Sequence, residues 1–231
     1  MGLADLFGRR RKSESEAADA ASPDLPVYPT KALARFLTSL SSRQQPLLLD
    51  LGPVVGPNVT FFGEQLGCKI LVEDLYKDID RHVVEGKVDA LPAFFAQRFA
   101  QESNSVDGIL CWDVFDFLEK PAAVQLAQQL TRILRPEGAL LGFFGTAEPV
   151  AGAKAHYAKH IVIDQANLQH RLYPAARGKQ RPVLNRDIQR MFEPLRVTEQ
   201  FLLKSNIREV LFRKNAAPAV AAPSPNPVPT T

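Results

Sequence analysis

Hydrophobic residues along the chain switch repeatedly between the spacing of a helix and the short unbroken runs of buried strands. Residues 30–41 are predicted to form an amphipathic helix, because apolar side chains recur there at helical spacing (Leu33, Phe36, Leu37 and Leu40). The segments between the later apolar runs also carry helical patterns. Buried strands are predicted at the apolar runs themselves, which span residues 47–52, 69–75, 108–114 and 139–145.

Local signals mark where the intervening elements begin and end. Asn58 is predicted to cap a helix that ends at Gly67. A later helix has an apolar face over residues 123–134, and the sequence Arg-Pro-Glu-Gly at 135–138 predicts a turn. The remaining elements are a short helix and a terminal hairpin of two strands, predicted near residues 185–192, 196–204 and 207–213.

The alternation of strands and helices predicts an α/β fold with a doubly wound, mostly parallel sheet and a C-terminal antiparallel hairpin. In such sheets, ligands bind beyond the carboxyl ends of the strands. The folded domain is expected to span residues 28–214, between a disordered tail at 1–27 and a disordered Pro/Ala-rich tail at 215–231. Apolar Leu3, Leu6 and Phe7 stand beside four basic residues at 9–12, so the first tail is either solvated or a weak membrane-surface contact.

Composition adds few constraints. The apolar content of 45% and the charged content of 23% are ordinary for a soluble globular protein. Cys68 and Cys111 lie in apolar runs, which indicates buried thiols rather than a disulfide framework. There is neither a membrane-spanning apolar run nor a secretory signal, so a cytoplasmic location is expected. The net charge of +3 is too small to indicate nucleic-acid binding.

Positive charge is concentrated in one segment of the chain. Between residues 150 and 190, eight basic residues face only Asp164 and Asp187. This basic insertion, residues 152–184, is either a solvated loop or a cover over a substrate. Arg171, Tyr173 and His170 are its candidates for contact with an acidic substrate. His156 and His160 are four residues apart, but no cysteine lies nearby and no metal is expected.

The stretch LLLDLGPVVGPN, residues 47–58, carries the most specific chemistry. An apolar run ends in Asp50, and two glycines, Gly52 and Gly56, follow where a strand gives way to a helix. Glycines permit a tight turn and a close approach of the backbone to a ligand. A carboxylate at the strand end can accept hydrogen bonds from loop amides. This pattern predicts a loop that holds a nucleotide-like cofactor.

This loop and five later segments, taken in order, resemble the class I S-adenosylmethionine-dependent methyltransferases. The similarity covers residues 47–214, with a degenerate first glycine motif. It implies a Rossmann-like sheet of seven strands, S-adenosylmethionine as cofactor, and in-line transfer of a methyl group to a small-molecule or protein acceptor. The six resembling segments are LLLDLGPVVG, VEDLY, VDALP, DGILCWDVFDFL, LTRILRPEGALLGFF and REVLFRK.

The resemblance also implies roles for individual residues. Asp74 or Glu73 would accept the ribose hydroxyls, and Asp74 matches the family's spacing better. Asp89 would bind the adenine amine, unless it only caps a turn before Pro92. Trp112 and Asp113 would lie at the mouth of the fourth strand, where adenine and substrate meet, although a single tryptophan also suits the core. The implied cofactor-binding residues are Asp50, Gly52, Gly56, Glu73, Asp74, Asp89, Trp112 and Asp113.

The first glycine motif departs from the family at Val54, which is normally glycine. A β-branched residue forced into the left-handed region costs about 1–2 kcal/mol, or roughly tenfold in affinity. One alternative to an active methyltransferase is therefore an inactive methyltransferase-like scaffold. A second alternative is a nicotinamide-dependent Rossmann enzyme. The last is disfavoured, because its fingerprint needs glycines where Val54 and Pro57 stand. No motif of the Asn-Pro-Pro-Tyr type follows the fourth strand, which argues against methylation of amino groups on nucleic-acid bases.

Overall fold

The computed structural model describes residues 25–216. The predicted tails therefore fall almost entirely outside the described residues, and so does the candidate membrane contact near the N-terminus. Within residues 25–216, no helix combines the length and the apolar character needed to cross a membrane.

Helices and strands alternate through most of this part. The helices are α1 (Ala32–Ser41), α2 (Gly56–Val59), α3 (Leu75–Val84), α4 (Leu91–Arg98), α5 (Lys120–Ile133) and α6 (Asn185–Met191). The strands are β1 (Val27–Pro29), β2 (Leu47–Asp50), β3 (Lys69–Val72), β4 (Val106–Trp112), β5 (Leu134–Gly145), β6 (His156–Asp164), β7 (Asn167–Pro174), β8 (Arg196–Leu202) and β9 (Ile207–Arg213). Short 3-10 turns precede α4 and α5, and a π-helical turn, Thr60–Gln65, continues α2.

The main sheet has the order β3-β2-β4-β5-β9-β8. Strands β3, β2, β4 and β5 run parallel, and β9 runs antiparallel between β5 and β8. The predicted mostly parallel sheet and terminal hairpin are therefore confirmed. The sheet contains six strands among the described residues, not the seven that the resemblance implied, because residues 85–105 form turns and α4 rather than another strand.

The basic insertion folds into a second sheet. Strands β6 and β7 form a hairpin, and β1 pairs antiparallel with the outer side of β7. The order of this sheet is β1-β7-β6. The insertion is therefore an ordered hairpin, and its position over the main sheet determines the shape of the candidate site.

Neighbouring residues of the central strands serve two apolar cores, one on each face of the main sheet. Leu49 and Ile109 pack with helices α3 to α6, whereas Leu48 and Leu110 pack with α1. The alternation follows from the two-residue period of a strand. Gly108 allows α1 to lie close to the sheet, since a Cβ at this position would be 2.7 Å from Cδ2 of Leu40.

Two local predictions were wrong. Asn58 does not cap a helix: α2 begins at Gly56, Val55 is the N-cap residue without a side-chain hydrogen bond, and the buried Asn58 amide binds β6 instead. Residues 135–138 do not end a helix before a separate strand but lie within β5. These residues make the pairing of β4 with β5 irregular. Val106 pairs with Leu134 and Gly108 pairs with Ala139, so β5 has more residues than β4 between these two pairs.

Candidate functional site

The glycine loop lies at the carboxyl end of β2, and Asp50 organises it. Asp50 is 4% exposed, and its Oδ1 accepts the backbone N–H of Gly52 at 2.9 Å and the indole Nε1–H of Trp112 at 2.6 Å. Burial raises the pKa of Asp50 to about 6, although both hydrogen bonds favour the charged form. Gly56 begins α2, with open space where a side chain would stand.

Val54 does not adopt the conformation that the missing glycine suggested. Its φ is not positive, and the residue is 59% exposed. The cost of a left-handed valine therefore does not arise. The loop enters α2 through an extended residue, Val55, at φ −126° and ψ 114°.

The two acids after β3 have different surroundings. Parallel pairing places Val72 opposite Asp50, and the N–H of Glu73 donates to the carbonyl of Asp50 at 2.8 Å. The Glu73 carboxylate forms an ion pair with Arg98 at 2.6 Å. Asp74 is the N-cap residue of α3, where it accepts the N–H of Lys77 at 3.3 Å, and burial raises its pKa.

Trp112 ends β4 in an unusual conformation. Its φ is +47°, and the pairing of β4 with β5 shifts between Leu110 and Trp112. Such an irregularity re-aims a side chain, and here the indole lies against the glycine loop. A Cβ on Gly52 would be only 2.9 Å from Cδ1 of Trp112. The ring of His160 stacks on the indole, with centroids 4.9 Å apart and planes 7° apart.

Asp113, the next residue, is the centre of a buried polar cluster. It accepts Tyr76 Oη–H at 2.6 Å and Lys179 Nζ–H at 2.7 Å, and it contacts His160 Nε2 at 3.2 Å. Lys179 also donates to Asp116 at 2.8 Å. Burial acts to raise the pKa of Asp113, but Lys179 and His160 outweigh it and hold that pKa well below its usual range. Burial keeps the pKa of Asp116 raised in spite of Lys179.

Asp89 lies apart from the other predicted residues. It is exposed in the 3-10 turn Val88–Ala90, and it borders a cavity of about 70 Å³ together with Glu119 and Pro121. The structure thus brings Asp50, Gly52, Glu73, Asp74, Trp112 and Asp113 to one edge of the sheet, with Gly56 at the start of the following helix.

Sequence reasoning missed the residues that the hairpin adds to this edge. His160 and Tyr157 of β6 are buried, and Lys179 follows β7. Burial and the neighbouring His160 lower the pKa of His170 to about 3, so this histidine is neutral at pH 7. The only signal in the sequence was the position of a basic, aromatic-containing segment after the fifth predicted strand.

Two cavities lie near the cluster. Neither cavity is lined by Asp50, Gly52 or Asp74. One of about 150 Å³ lies between β6, β7 and the cluster, and Asp113, His160 and Lys179 border it. A larger cavity of about 730 Å³ lies between α5, α6 and residues 180–184. At Gly52, the indole of Trp112 occupies the space where a side chain would stand.

Comparison with solved structures identifies the fold. The [4+2]-cyclase SpnF matches with a TM-score of 0.51 at 11% identity, over 90% of this chain and 93% of that chain. A TehB-like SAM-dependent methyltransferase from Corynebacterium glutamicum matches at 15% identity and a TM-score of 0.46, over 93% of this chain and 100% of that chain. The 1,6-didemethyltoxoflavin-N1-methyltransferase of Burkholderia thailandensis, with bound S-adenosylhomocysteine, matches at 14% identity and a TM-score of 0.46, over 92% and 86%.

No family model and no curated protein matches the sequence. At such low identities the structural likeness shows the fold and not the activity. With the strand order of the main sheet, it confirms the doubly wound, mostly parallel α/β fold that the sequence predicted.

The raised pKa of Asp50 leads to a prediction about stability. Because this pKa is about 6 in the folded protein and 3.8 in the reference state, folding becomes less favourable as the pH rises through that interval. Asp50→Asn keeps an Oδ1 acceptor but cannot ionise. Between about pH 4 and pH 7, the variant is expected to gain about 2–3 kcal/mol in free energy of unfolding relative to the wild type. Urea denaturation of both proteins at several pH values measures this difference, and parallel pH profiles would contradict it.

Proposed function

We propose that this protein is an S-adenosylmethionine-dependent methyltransferase that acts on a small-molecule or protein acceptor. The observation that carries this proposal is the juxtaposition of Asp50, Gly52 and Asp74 at adjacent strand ends. The β2–β3 register and the hydrogen bond from Glu73 N–H to the Asp50 carbonyl fix this arrangement. An acid beside a glycine loop and a second acid one strand away suit one elongated ligand with an amino group and ribose hydroxyls.

The roles of the remaining predicted residues follow from their surroundings. Asp74 is the better ribose ligand, because Glu73 is already paired with Arg98. Gly56 and Asp113 belong to the same site in this proposal, as the start of α2 and the acid beyond β4. The contact of Asp89 with the adenine amine stays a prediction.

The cofactor fits the chemistry of these residues but not the space that they leave. The indole of Trp112 already contacts Gly52, where the resemblance would place the cofactor, and it already donates to Asp50. Non-bonded carbon atoms need about 3.5–4 Å between centres. The loop is therefore closed to a ligand at Gly52.

A second candidate function is an inactive methyltransferase-like binding module. The observation in its favour is that Asp50 has its hydrogen bonds satisfied by Gly52 and Trp112 within the protein. Methyl transfer from S-adenosylmethionine to any cellular fraction would exclude this candidate.

Calorimetric titration of the full chain with S-adenosylhomocysteine tests the proposal. Wild-type protein is expected to bind, and Val54→Gly to bind within about twofold of it, because Val54 is not strained. Asp74→Asn is expected to weaken binding about tenfold, since charged hydrogen bonds contribute about 1.5–3 kcal/mol each. Asp164→Asn is the matched control, because this acid lies at the exposed end of β6, beside the turn that leads to β7.

Other results would separate the two candidates. No binding heat and no thermal stabilisation in any of these proteins would contradict the methyltransferase and favour the binding module. Binding by Val54→Gly alone would show instead that the valine blocks the loop.

A further inference from the structure

The β6–β7 hairpin is fastened to the glycine-loop helix by one side chain. Asn58, in α2, donates from Nδ2 to the carbonyl of His160 at 2.7 Å and accepts the N–H of Val162 at Oδ1 at 2.8 Å. The amide thus takes the place of a neighbouring strand along β6. Asn58 is 3% exposed, so water does not readily replace either hydrogen bond.

The fastened strand holds an aromatic stack over the loop. The His160 ring lies parallel to the Trp112 indole, which in turn lies against Gly52. Both side chains are almost fully buried. The backbone of Trp112 has a φ of +47°, a region that bulky residues disfavour, and the surrounding contacts keep it there.

Further contacts fasten the hairpin on its other side. Tyr157 donates its hydroxyl hydrogen to Asp80 of α3 at 2.6 Å. Lys179, which follows β7, forms ion pairs with the carboxylates of Asp113 and Asp116. The hairpin is therefore attached on both sides of the cleft, to α2 and to the elements that follow β3 and β4.

We propose that Trp112 and His160 form a built-in plug of the cofactor cleft and that Asn58 is its latch. A ligand reaches Gly52 only after β6 releases Asn58 and the indole leaves the loop. This inference rests on the proposed function, because the ligand concerned is S-adenosylmethionine or its demethylated product. The apparent affinity then equals the intrinsic affinity multiplied by the open fraction, so a weaker latch gives tighter binding.

Trp112 is the single tryptophan of the chain, so its fluorescence reports the plug directly. Asn58→Ala removes both latch hydrogen bonds. Without ligand, it is expected to increase acrylamide quenching of Trp112, and with S-adenosylhomocysteine it is expected to bind about tenfold more tightly than wild type. Asn167→Ala is the matched control: its amide binds only Asp164 in the exposed hairpin turn, and it should change neither measurement.

The two measurements distinguish failure of the plug from failure of the methyltransferase. If Asn58→Ala increases quenching but no protein binds S-adenosylhomocysteine, Asn58 holds the aromatic stack in place, but the proposed function fails and the stack is not the plug of a cofactor cleft. If wild type and Asn58→Ala bind equally and Trp112 stays protected at saturation, the plug is overturned and the proposed function stands. Should Asn58→Ala not fold, Asn58→Asp serves in its place, because its carboxylate still accepts from Val162 but repels the carbonyl of His160.

Discussion

Lys179→Met is expected to lower the free energy of unfolding by about 2–3 kcal/mol at pH 7. Lys179 neutralises two carboxylates that are only 8% and 4% exposed, those of Asp113 and Asp116. Removal of one partner from a fully buried ion pair costs about 3–5 kcal/mol. The expected loss is smaller because Lys179 itself is 40% exposed, and water partly screens the ammonium group.

The loss of stability in Lys179→Met should depend on pH. In the wild type, Lys179 and His160 lower the pKa of Asp113, which gives stability that is present above the unfolded pKa and is lost as the pH falls. Without Lys179, burial raises the pKa of both acids, so protonation stabilises the variant as the pH falls. The difference between the two proteins should therefore shrink from pH 7 towards pH 4, as measured by urea denaturation.

Lys154→Met is the control for this experiment. Lys154 lies in the same basic segment but is exposed, and its replacement should leave stability within about 0.5 kcal/mol of wild type. A loss in Lys179→Met that does not change with pH would contradict the role given to the two carboxylates.

Glu209→Ala is expected to lower the free energy of unfolding by about 2–4 kcal/mol. Helix α1 has no side-chain cap of its own, and no acid occurs in its first turn. Glu209 of β9, which is 1% exposed, supplies the cap: its Oε2 accepts the N–H groups of Lys31 and Ala32, both at 2.8 Å. A carboxylate at a helix N-terminus is also favoured by the helix dipole. Its removal leaves two N–H groups unpaired beside the sheet.

Thermal unfolding measures this effect. Glu209→Ala should lower Tm by roughly 5–15 °C. Glu209→Gln, which keeps one acceptor oxygen and loses the charge, should cause about half of that loss. Glu199→Ala in the neighbouring strand β8 is the control, because this half-buried glutamate takes part in no such cap. Equal losses in Glu209→Ala and Glu199→Ala would show that α1 does not depend on Glu209.

Several parts of the fold could be predicted because their causes are local. The apolar runs of β2 and β4 and the helical spacing in α1 became the elements they predicted, since burial fixes the period of a strand or a helix. Gly67 has a φ of +66° at the end of the segment that follows the glycine loop, as its residue type requires. The prediction of a seventh strand was wrong, because the number of strands came from a resemblance and not from a pattern in residues 85–105.

The candidate site was predicted only in part. The sequence placed Asp50, Gly52 and Asp74 together, because parallel strands carry their ends to one edge of the sheet. It did not show that Asn58 would bind β6, which is 104 residues from it at Val162. Nor did it show that Val54 would avoid the left-handed region, because that depends on the path of the whole loop.

The sequence by itself determined the α/β architecture and a glycine loop flanked by acids, because hydrophobic period, turn residues and strand order act over short distances. Only the tertiary structure decided that the loop is covered, that Trp112 faces Gly52, and that a glutamate on the last strand caps the first helix. These contacts join residues that are far apart in the chain, as with the separation of 178 positions between Lys31 and Glu209. Their energies depend on burial and orientation, which arise only when the sheet, the helices and the hairpin pack together.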